Sequence, residues 1–163
     1  MNIVIARASG FVGEALSRRL LEHGHAVTGL GTSRSHPLQA MSNFTWIRAD
    51  TTLPGPWQTA VAAADAVINL AGRTIFKRWT RSYKSRIVDS RLMTTGNIVS
   101  AMAGSDQTLI STSAVGYYGS RGDEILDEQA TPGEDFLARL SVDWEAAAMA
   151  ANSTSGDLAP SRR

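Results

Sequence analysis

Gly10 and Gly13 stand three residues apart, directly after the apolar run Ile3-Val4-Ile5 and at the start of the amphipathic segment Phe11-Val12-Gly13-Glu14-Ala15-Leu16. Glycines at this spacing between a strand and a helix let backbone N–H groups approach a phosphate, which then sits at the helix N-terminus. The same pattern expects a glycine at position 7, where the turn is tightest, and the chain has Arg7 there, followed by Ala8. Two glycines that serve only close helix–strand packing are the alternative reading of these residues.

A second group lies after the next apolar run, in Gly29-Leu30-Gly31-Thr32-Ser33-Arg34. In a dinucleotide site an acidic residue here meets a free ribose 2′-OH, whereas basic and hydroxyl groups suit a 2′-phosphate. With no acid present, Ser33 and Arg34 favour NADP(H) over NAD(H); an exposed loop arginine is the competing explanation. Asn69-Leu70-Ala71-Gly72 ends a third apolar run, where small residues allow a ligand to approach the backbone. Ser111-Thr112-Ser113 ends a fourth and is followed by Ala114-Val115-Gly116-Tyr117-Tyr118-Gly119. The hydroxyls of Ser113, Tyr117 and Tyr118 are candidates for polarising a carbonyl or hydroxyl of a substrate. Turn hydroxyls beside two packing aromatics would give the same spacing.

The elements that must hold these residues alternate between strand and helix periodicity, which predicts an α/β fold with a doubly wound parallel sheet of about five strands. Strands are expected over about Asn2 to Ala6, Ala26 to Leu30, Phe44 to Arg48, Ala66 to Leu70 and Thr108 to Thr112. A helix over about Phe11 to Glu22 sets Val12, Leu16 and Leu20 on one face at i, i+4 and i+8, with Gly24 placed to end it. After the turn Pro54-Gly55-Pro56, a short helix leads to Asp65. A long helix spans about Ser82 to Met102, closed by Gly104, and a last one runs from about Asp135 to Ala150. No internal repeat is visible. Residues 1–150 therefore read as one domain, and 151–163, small, polar and non-periodic, as a disordered tail.

Composition narrows the chemistry. The chain has 163 residues, 43% of them hydrophobic and 19% charged, with a net charge of +1. That balance gives no electrostatic case for nucleic acid or an anionic membrane. The absence of cysteine removes disulfides, thiolate catalysis and cysteine-ligated metals. His23, His25 and His36 cluster near the second strand, and no metal site is expected from them. No basic, apolar leader opens the chain and no apolar run is long enough to span a bilayer, so a cytoplasmic location is the expectation.

The motifs taken together resemble an extended short-chain dehydrogenase/reductase. More narrowly, they resemble the atypical sugar-nucleotide epimerase-like subgroup sometimes labelled a cell-division inhibitor. The matching residues are Ile68-Asn69-Leu70-Ala71-Gly72, Lys77-Arg78-Trp79-Thr80, Ser90-Arg91 with Thr95, Ser113 to Gly119, and Trp144-Glu145-Ala146-Ala147. In that order, over residues 1 to about 150, they form a far more specific signature than the glycines alone. The resemblance implies a Rossmann fold with a nicotinamide dinucleotide at the C-terminal edge of the sheet. It implies that Gly10, Phe11, Val12 and Gly13 cradle the pyrophosphate, that Arg34 approaches the adenosine end, and that Asp50 lies near the adenine. Ala71 and Gly72 would line the cofactor, and Ser113 would be the hydroxyl of the usual Ser/Tyr/Lys set.

Three departures from the pattern bear on function. Arg7 replaces the turn glycine; at positive φ a side chain costs about 1–2 kcal/mol, and its bulk intrudes on the pyrophosphate path. The guanidinium can also contact phosphate, so Arg7 joins the expected cofactor-binding set even though weaker binding is expected. The Tyr-x-x-x-Lys of the wider superfamily is missing, since the corresponding segment is Phe136-Leu137-Ala138-Arg139-Leu140-Ser141. Tyr117 or Tyr118 would have to substitute. Finally, the subgroup continues past Trp144-Glu145 with a further strand and a substrate-binding region, and Asn152 to Arg163 match neither. The expectation is a truncated, dinucleotide-binding, epimerase/reductase-like protein of doubtful catalytic competence with no identifiable substrate. The alternative is a non-enzymatic remnant or interaction module that self-associates through the surface left by truncation.

Overall fold

A computed structural model describes residues 1–102 and 106–153. Its strands are β1 (Asn2–Ala6), β2 (Ala26–Gly31), β3 (Phe44–Arg48), β4 (Ala66–Asn69) and β5 (Thr108–Ser111). They form one fully parallel sheet in the order β3-β2-β1-β4-β5. The helices are α1 (Phe11–Glu22), α2 (Gln58–Ala62), α3 (Arg81–Ala101) and α4 (Phe136–Met149). This is the doubly wound, Rossmann-like arrangement that the alternating periodicity predicts. Element ends shift by a residue or so, and Gly104, the expected close of the long helix, lies outside the described residues.

Alternation along β1 divides the core. Ile3 and Ile5 join Leu21, Val27, Phe44 and Ile68 on the face covered by α1. Val4 and Ala6 join Leu30, Trp57, Val61, Val67 and Ile98 on the face covered by α2 and α3. Strands buried on both faces read as nearly continuous apolar runs, as a parallel sheet requires. Outside α3, Leu140 of α4 packs on Tyr83 and Ile87. No helix among the described residues is long and apolar enough to cross a membrane.

Helix ends are set by local chemistry. Asp135 caps α4 by accepting from the N–H groups of Leu137 and Ala138 at 2.8 and 2.9 Å, and Thr80 caps α3 through Tyr83 N–H. Helix α1 closes in a Schellman motif, with His25 N–H bonded to Leu20 O and Gly24 N–H to Leu21 O, around Gly24 at φ 79°.

The buried stripe of α1 differs from the expected one. Gly13, Ser17 and Leu21 face the sheet, Leu16 and Leu20 flank them, and Val12 is 57% exposed. The helix starts so close to the β1 turn that only small residues fit at the centre of the contact. The apolar periodicity is therefore displaced by one position from the true contact line. Ser17 accommodates its own burial by donating its hydroxyl to Gly13 O at 2.7 Å.

Candidate functional site

Because β1 lies between β2 and β4, the chain winds outward on one side of β1 and then on the other. The crevice at such a reversal, beyond the strands' C-terminal ends, is where open α/β sheets take ligands. Every strand-end motif singled out in the sequence reaches this edge.

The turn after β1 is strained. Arg7 has φ 63°, the sole non-glycine residue with positive φ among the described residues. Gly10 N–H closes the turn on Arg7 O at 3.0 Å, and Gly10 O then receives Glu14 N–H at 2.8 Å. Gly10 caps α1 in an extended conformation without a side-chain hydrogen bond. The N–H groups of Phe11, Val12 and Gly13 hold no hydrogen bond among the described residues, and Phe11 is 96% exposed. Such orphan donors, at the positive end of a helix dipole, make an anion site. Gly13 is obligatory for a separate reason: a Cβ there would stand 2.5 Å from Arg7 O and 2.7 Å from Ala8 Cα. A Cβ on Gly10 would lie 3.5 Å from Arg7 Nε and 3.6 Å from Arg7 Cγ. The Arg7 side chain thus folds back over Gly10, at the mouth of the helix N-terminus.

A buried histidine pins this turn from the other side. His36 Nδ1 accepts from Leu38 N–H at 3.2 Å, so its Nε2 carries the proton and donates to Ala8 O at 3.2 Å. Its ring lies against Phe44 and Trp46, with centroids 4.6 and 5.0 Å away. The segment after β2 is thereby tied to the turn after β1. Ser33 and Arg34 are exposed on that segment, where Ser33 O accepts from Trp46 Nε1 and Thr32 O from Arg48 Nε. Asp50 follows β3, and its Oδ1 takes Thr52 N–H and Thr52 Oγ1–H at 3.1 and 2.7 Å.

The end of β4 is held by polar contacts with no slack. Asn69, fully buried, donates Nδ2–H to Thr95 Oγ1 at 2.8 Å and to Ser111 Oγ at 3.3 Å, while its Oδ1 accepts Ala71 N–H at 3.1 Å. Thr95 Oγ1 also accepts from Trp144 Nε1 at 2.9 Å. Thr112 returns to Asn69 O through both its N–H and its hydroxyl. One asparagine therefore joins β4, β5, α3 and α4 and fixes the backbone at Ala71 and Gly72.

Between these two regions opens a cleft of about 380 Å³, whose lining includes Arg7, Gly72, Arg91, Thr112, Ser113 and Trp144. Ser113 donates its hydroxyl to Glu145 Oε1 at 2.5 Å. Arg91 stacks on Trp144, 5.1 Å from the ring centroid. Burial first, and then the nearby charge of Arg7, push its pKa below the ordinary guanidinium value. Tyr117 and Tyr118 lie in a 3-10 turn (Val115–Tyr118) and pack edge to face at 5.2 Å. Neither is among the residues lining this cleft; Tyr118 lines a second one with Arg121 and Asp135. In the segment where the superfamily carries Tyr-x-x-x-Lys, Phe136 meets Trp79 edge to face at 5.5 Å and Leu140 is core. Among the described residues, no group of three or more His, Asp or Glu side chains could hold a metal ion.

Residues 3–155 match the family model for the NAD dependent epimerase/dehydratase family. The chain belongs to that family. It is 32% identical over 157 residues to a chloroplastic epimerase family protein, the SDR39U1 homolog of Arabidopsis thaliana, covering 93% of this chain and 45% of that one. Among solved structures it resembles the nucleoside-diphosphate sugar epimerase of Corynebacterium glutamicum, with TM-score 0.74 and 34% identity over 94% of this chain and 31% of that one. It also resembles human epimerase family protein SDR39U1 in complex with NADPH, with TM-score 0.68 and 28% identity over 91% of this chain and 48% of that one. The chain spans about half the length of the curated relatives it matches.

For this epimerase-family chain, the strand-end candidates Arg7, Gly10 to Gly13, Ala71, Gly72 and Ser113 converge on one edge of the sheet. The side chains that hold that edge were absent from the candidate set: Asn69, Thr95, Trp144, Glu145, Arg91 and His36. All but Glu145 and Arg91 are buried. The signal for them is a polar or amphipathic residue inside an apolar stretch, as with Asn69 in Val67-Ile68-Asn69-Leu70.

Proposed function

We propose that this chain binds a nicotinamide dinucleotide, NADP(H) in preference to NAD(H), as the cofactor half of an epimerase- or reductase-like protein. The observation that carries the reading is the set of unpartnered N–H groups of Phe11, Val12 and Gly13 at the topological switch point. They offer a diphosphate three donors without any movement of the chain. Gly13 keeps α1 close enough to β1 for the donors to face the crevice, and Arg7, folded back over Gly10, crowds the same mouth. Ser33 and Arg34 supply a hydroxyl and a positive charge for a 2′-phosphate, Asp50 borders the adenine, and Ala71 and Gly72 form the opposite wall. When bound, the nicotinamide would supply hydride transfer at the Ser113 end of the cleft. Ser113, its proton directed to Glu145, would orient a substrate oxygen there.

The family relationship and the NADPH complex of the human relative support this reading. Residues 1–150 are the proposed binding domain, 151–163 a tail outside it, and the cytoplasm the proposed location. Titration with NADPH and NADH, followed by cofactor fluorescence, tests the preference. NADPH binds more tightly, and Arg34→Ala removes most of the difference. Equal affinities in the unaltered chain would overturn the preference. If Tyr117 or Tyr118 is the acid/base, replacing it by Phe abolishes turnover of NADPH; unchanged turnover in both variants removes the tyrosines from the mechanism.

A second reading, an interaction module without chemistry, is favoured by one observation. Phe76, at the cleft, and Ile125 are 92% and 98% exposed, and exposed apolar surface of this kind favours association. Light scattering that shows a monodisperse monomer across a wide concentration range would reject it.

A further inference from the structure

Ala8 is gripped by β2 and by the segment that follows it. Its N–H donates to Leu30 O at 3.1 Å, and its carbonyl receives Nε2–H of His36. Glycines of β2 make room for this arrangement. A Cβ at Gly29 would stand 2.8 Å from Ala8 Cβ and 2.9 Å from Phe44 Cζ, and one at Gly31 would stand 2.7 Å from Trp46 Cη2. The rings of Phe44 and Trp46 occupy that space, and the His36 ring lies against both. Trp46 also holds Ser33 O through Nε1 at 3.2 Å. On the other side of the histidine, Leu38 is buried in the core under α1.

His36 therefore makes two bonds of different reach. One, from Leu38 N–H to Nδ1, stays within its own turn, and the other crosses to Ala8. The N–H donors of Phe11 to Gly13 follow Ala8 by three to five residues, whereas Ser33 and Arg34 precede His36 by three and two. The crossing bond thus lies between two groups of candidate anion contacts. A dinucleotide with a diphosphate alone needs only the first group. One that also carries a 2′-phosphate needs both groups at a fixed separation, and any freedom between them lowers its affinity.

We infer that His36 fixes this separation and is a positioning residue for selecting the 2′-phosphorylated dinucleotide over its unphosphorylated counterpart. The inference rests on the reading that Ser33 and Arg34 meet the 2′-phosphate while Phe11 to Gly13 hold the diphosphate.

Two substitutions separate the two bonds of the ring. In His36→Asn the short amide still accepts Leu38 N–H, as in an Asx turn, but is too short for Ala8 O. In His36→Gln the longer amide keeps a donor for Ala8 O. Calorimetric titration with NADPH and with NADH, on samples whose cooperative unfolding shows them to be folded, compares the variants with the unaltered chain. His36→Asn is expected to weaken NADPH binding about tenfold while changing NADH binding less than about twofold. His36→Gln should restore most of the preference. Equal losses for both dinucleotides in His36→Asn would make the histidine a packing residue only and overturn the inference. So would selectivity kept by His36→Asn and lost by His36→Gln, which would assign the effect to the local turn. A preference for NADPH that survives in both variants removes the inference alone, whereas equal affinities in the unaltered chain remove the reading of Ser33 and Arg34 and the inference with it. If neither variant folds, the Nε2–H resonance of His36 in the unaltered, 15N-histidine-labelled chain decides. It should shift more with NADPH than with NADH, and equal shifts would contradict the inference.

Discussion

The two walls of the cleft are built on opposite principles. The turn after β1 is made of backbone: one residue held at φ 63°, two glycines, and three N–H groups without an acceptor among the described residues. The end of β4 is made of side chains, with Asn69, Thr95, Trp144 and Thr112 hydrogen-bonded to one another or to backbone. Among the described residues, no buried side-chain polar atom is left without a partner. The first wall holds unused donors and local strain, which is what a ligand site needs. The second is saturated, and a saturated network gives position without affinity. The pairing explains how one edge of the sheet can be both open to a ligand and rigid.

The largest effect is expected where backbone meets backbone. Gly13→Ala places a methyl 2.5 Å from Arg7 O and 2.7 Å from Ala8 Cα, and neither can yield unless α1 moves. A loss of about 3 kcal/mol is expected by chemical denaturation, with loss of dinucleotide binding. A fully stable, binding-competent variant would mean that α1 does not seat as closely as described.

On the saturated wall, Asn69→Leu keeps the branched outline of the side chain but leaves Ala71 N–H and Ser111 Oγ without their partner and removes one donor to Thr95. About 2 kcal/mol of stability should be lost, the ordinary cost of orphaning buried polar groups. Cofactor affinity should fall too, because Ala71 and Gly72 lose their anchor. A change in stability with affinity intact would show that the network only packs the core.

The smallest effect has the opposite sign. Arg7→Gly relieves about 1–2 kcal/mol of left-handed strain and adds about 0.5–1 kcal/mol of unfolded-chain entropy. Stability should therefore rise by up to about 1.5 kcal/mol, visible as an increase in Tm of a few degrees. Clearing the mouth of α1 should tighten NADPH binding several-fold while reducing its dependence on salt. Weaker binding by this variant would make Arg7 a phosphate ligand and not an obstruction.

These two walls were unequally legible in the sequence. The turn could be read because its function is backbone geometry, and backbone geometry is written locally as glycine spacing after an apolar run. Even the departure was readable, since Arg7 occupies the position that requires positive φ and adopts it. The network could not be read as a network. Its members lie 26 and 49 residues apart in the chain, and nothing local ties Asn69 to Thr95 or to Trp144. The family resemblance quoted Thr95 and Trp144 without saying what they do. Val12 shows the complementary failure. Its apolar character suggested burial, but the closest contact line of α1 runs through Gly13 and Ser17, which no hydrophobic pattern marks. The tie from His36 to Ala8 spans 28 residues and escaped for the same reason.

The proposed dinucleotide site requires that the turn still accept a diphosphate although Arg7 stands where a glycine is expected. Isothermal titration of the unaltered chain with NADPH tests it most directly, on a sample whose cooperative thermal unfolding shows it to be folded. Saturable binding at one site, weakening as salt is raised, is expected. The absence of any binding heat and any fluorescence change at millimolar NADPH would contradict it.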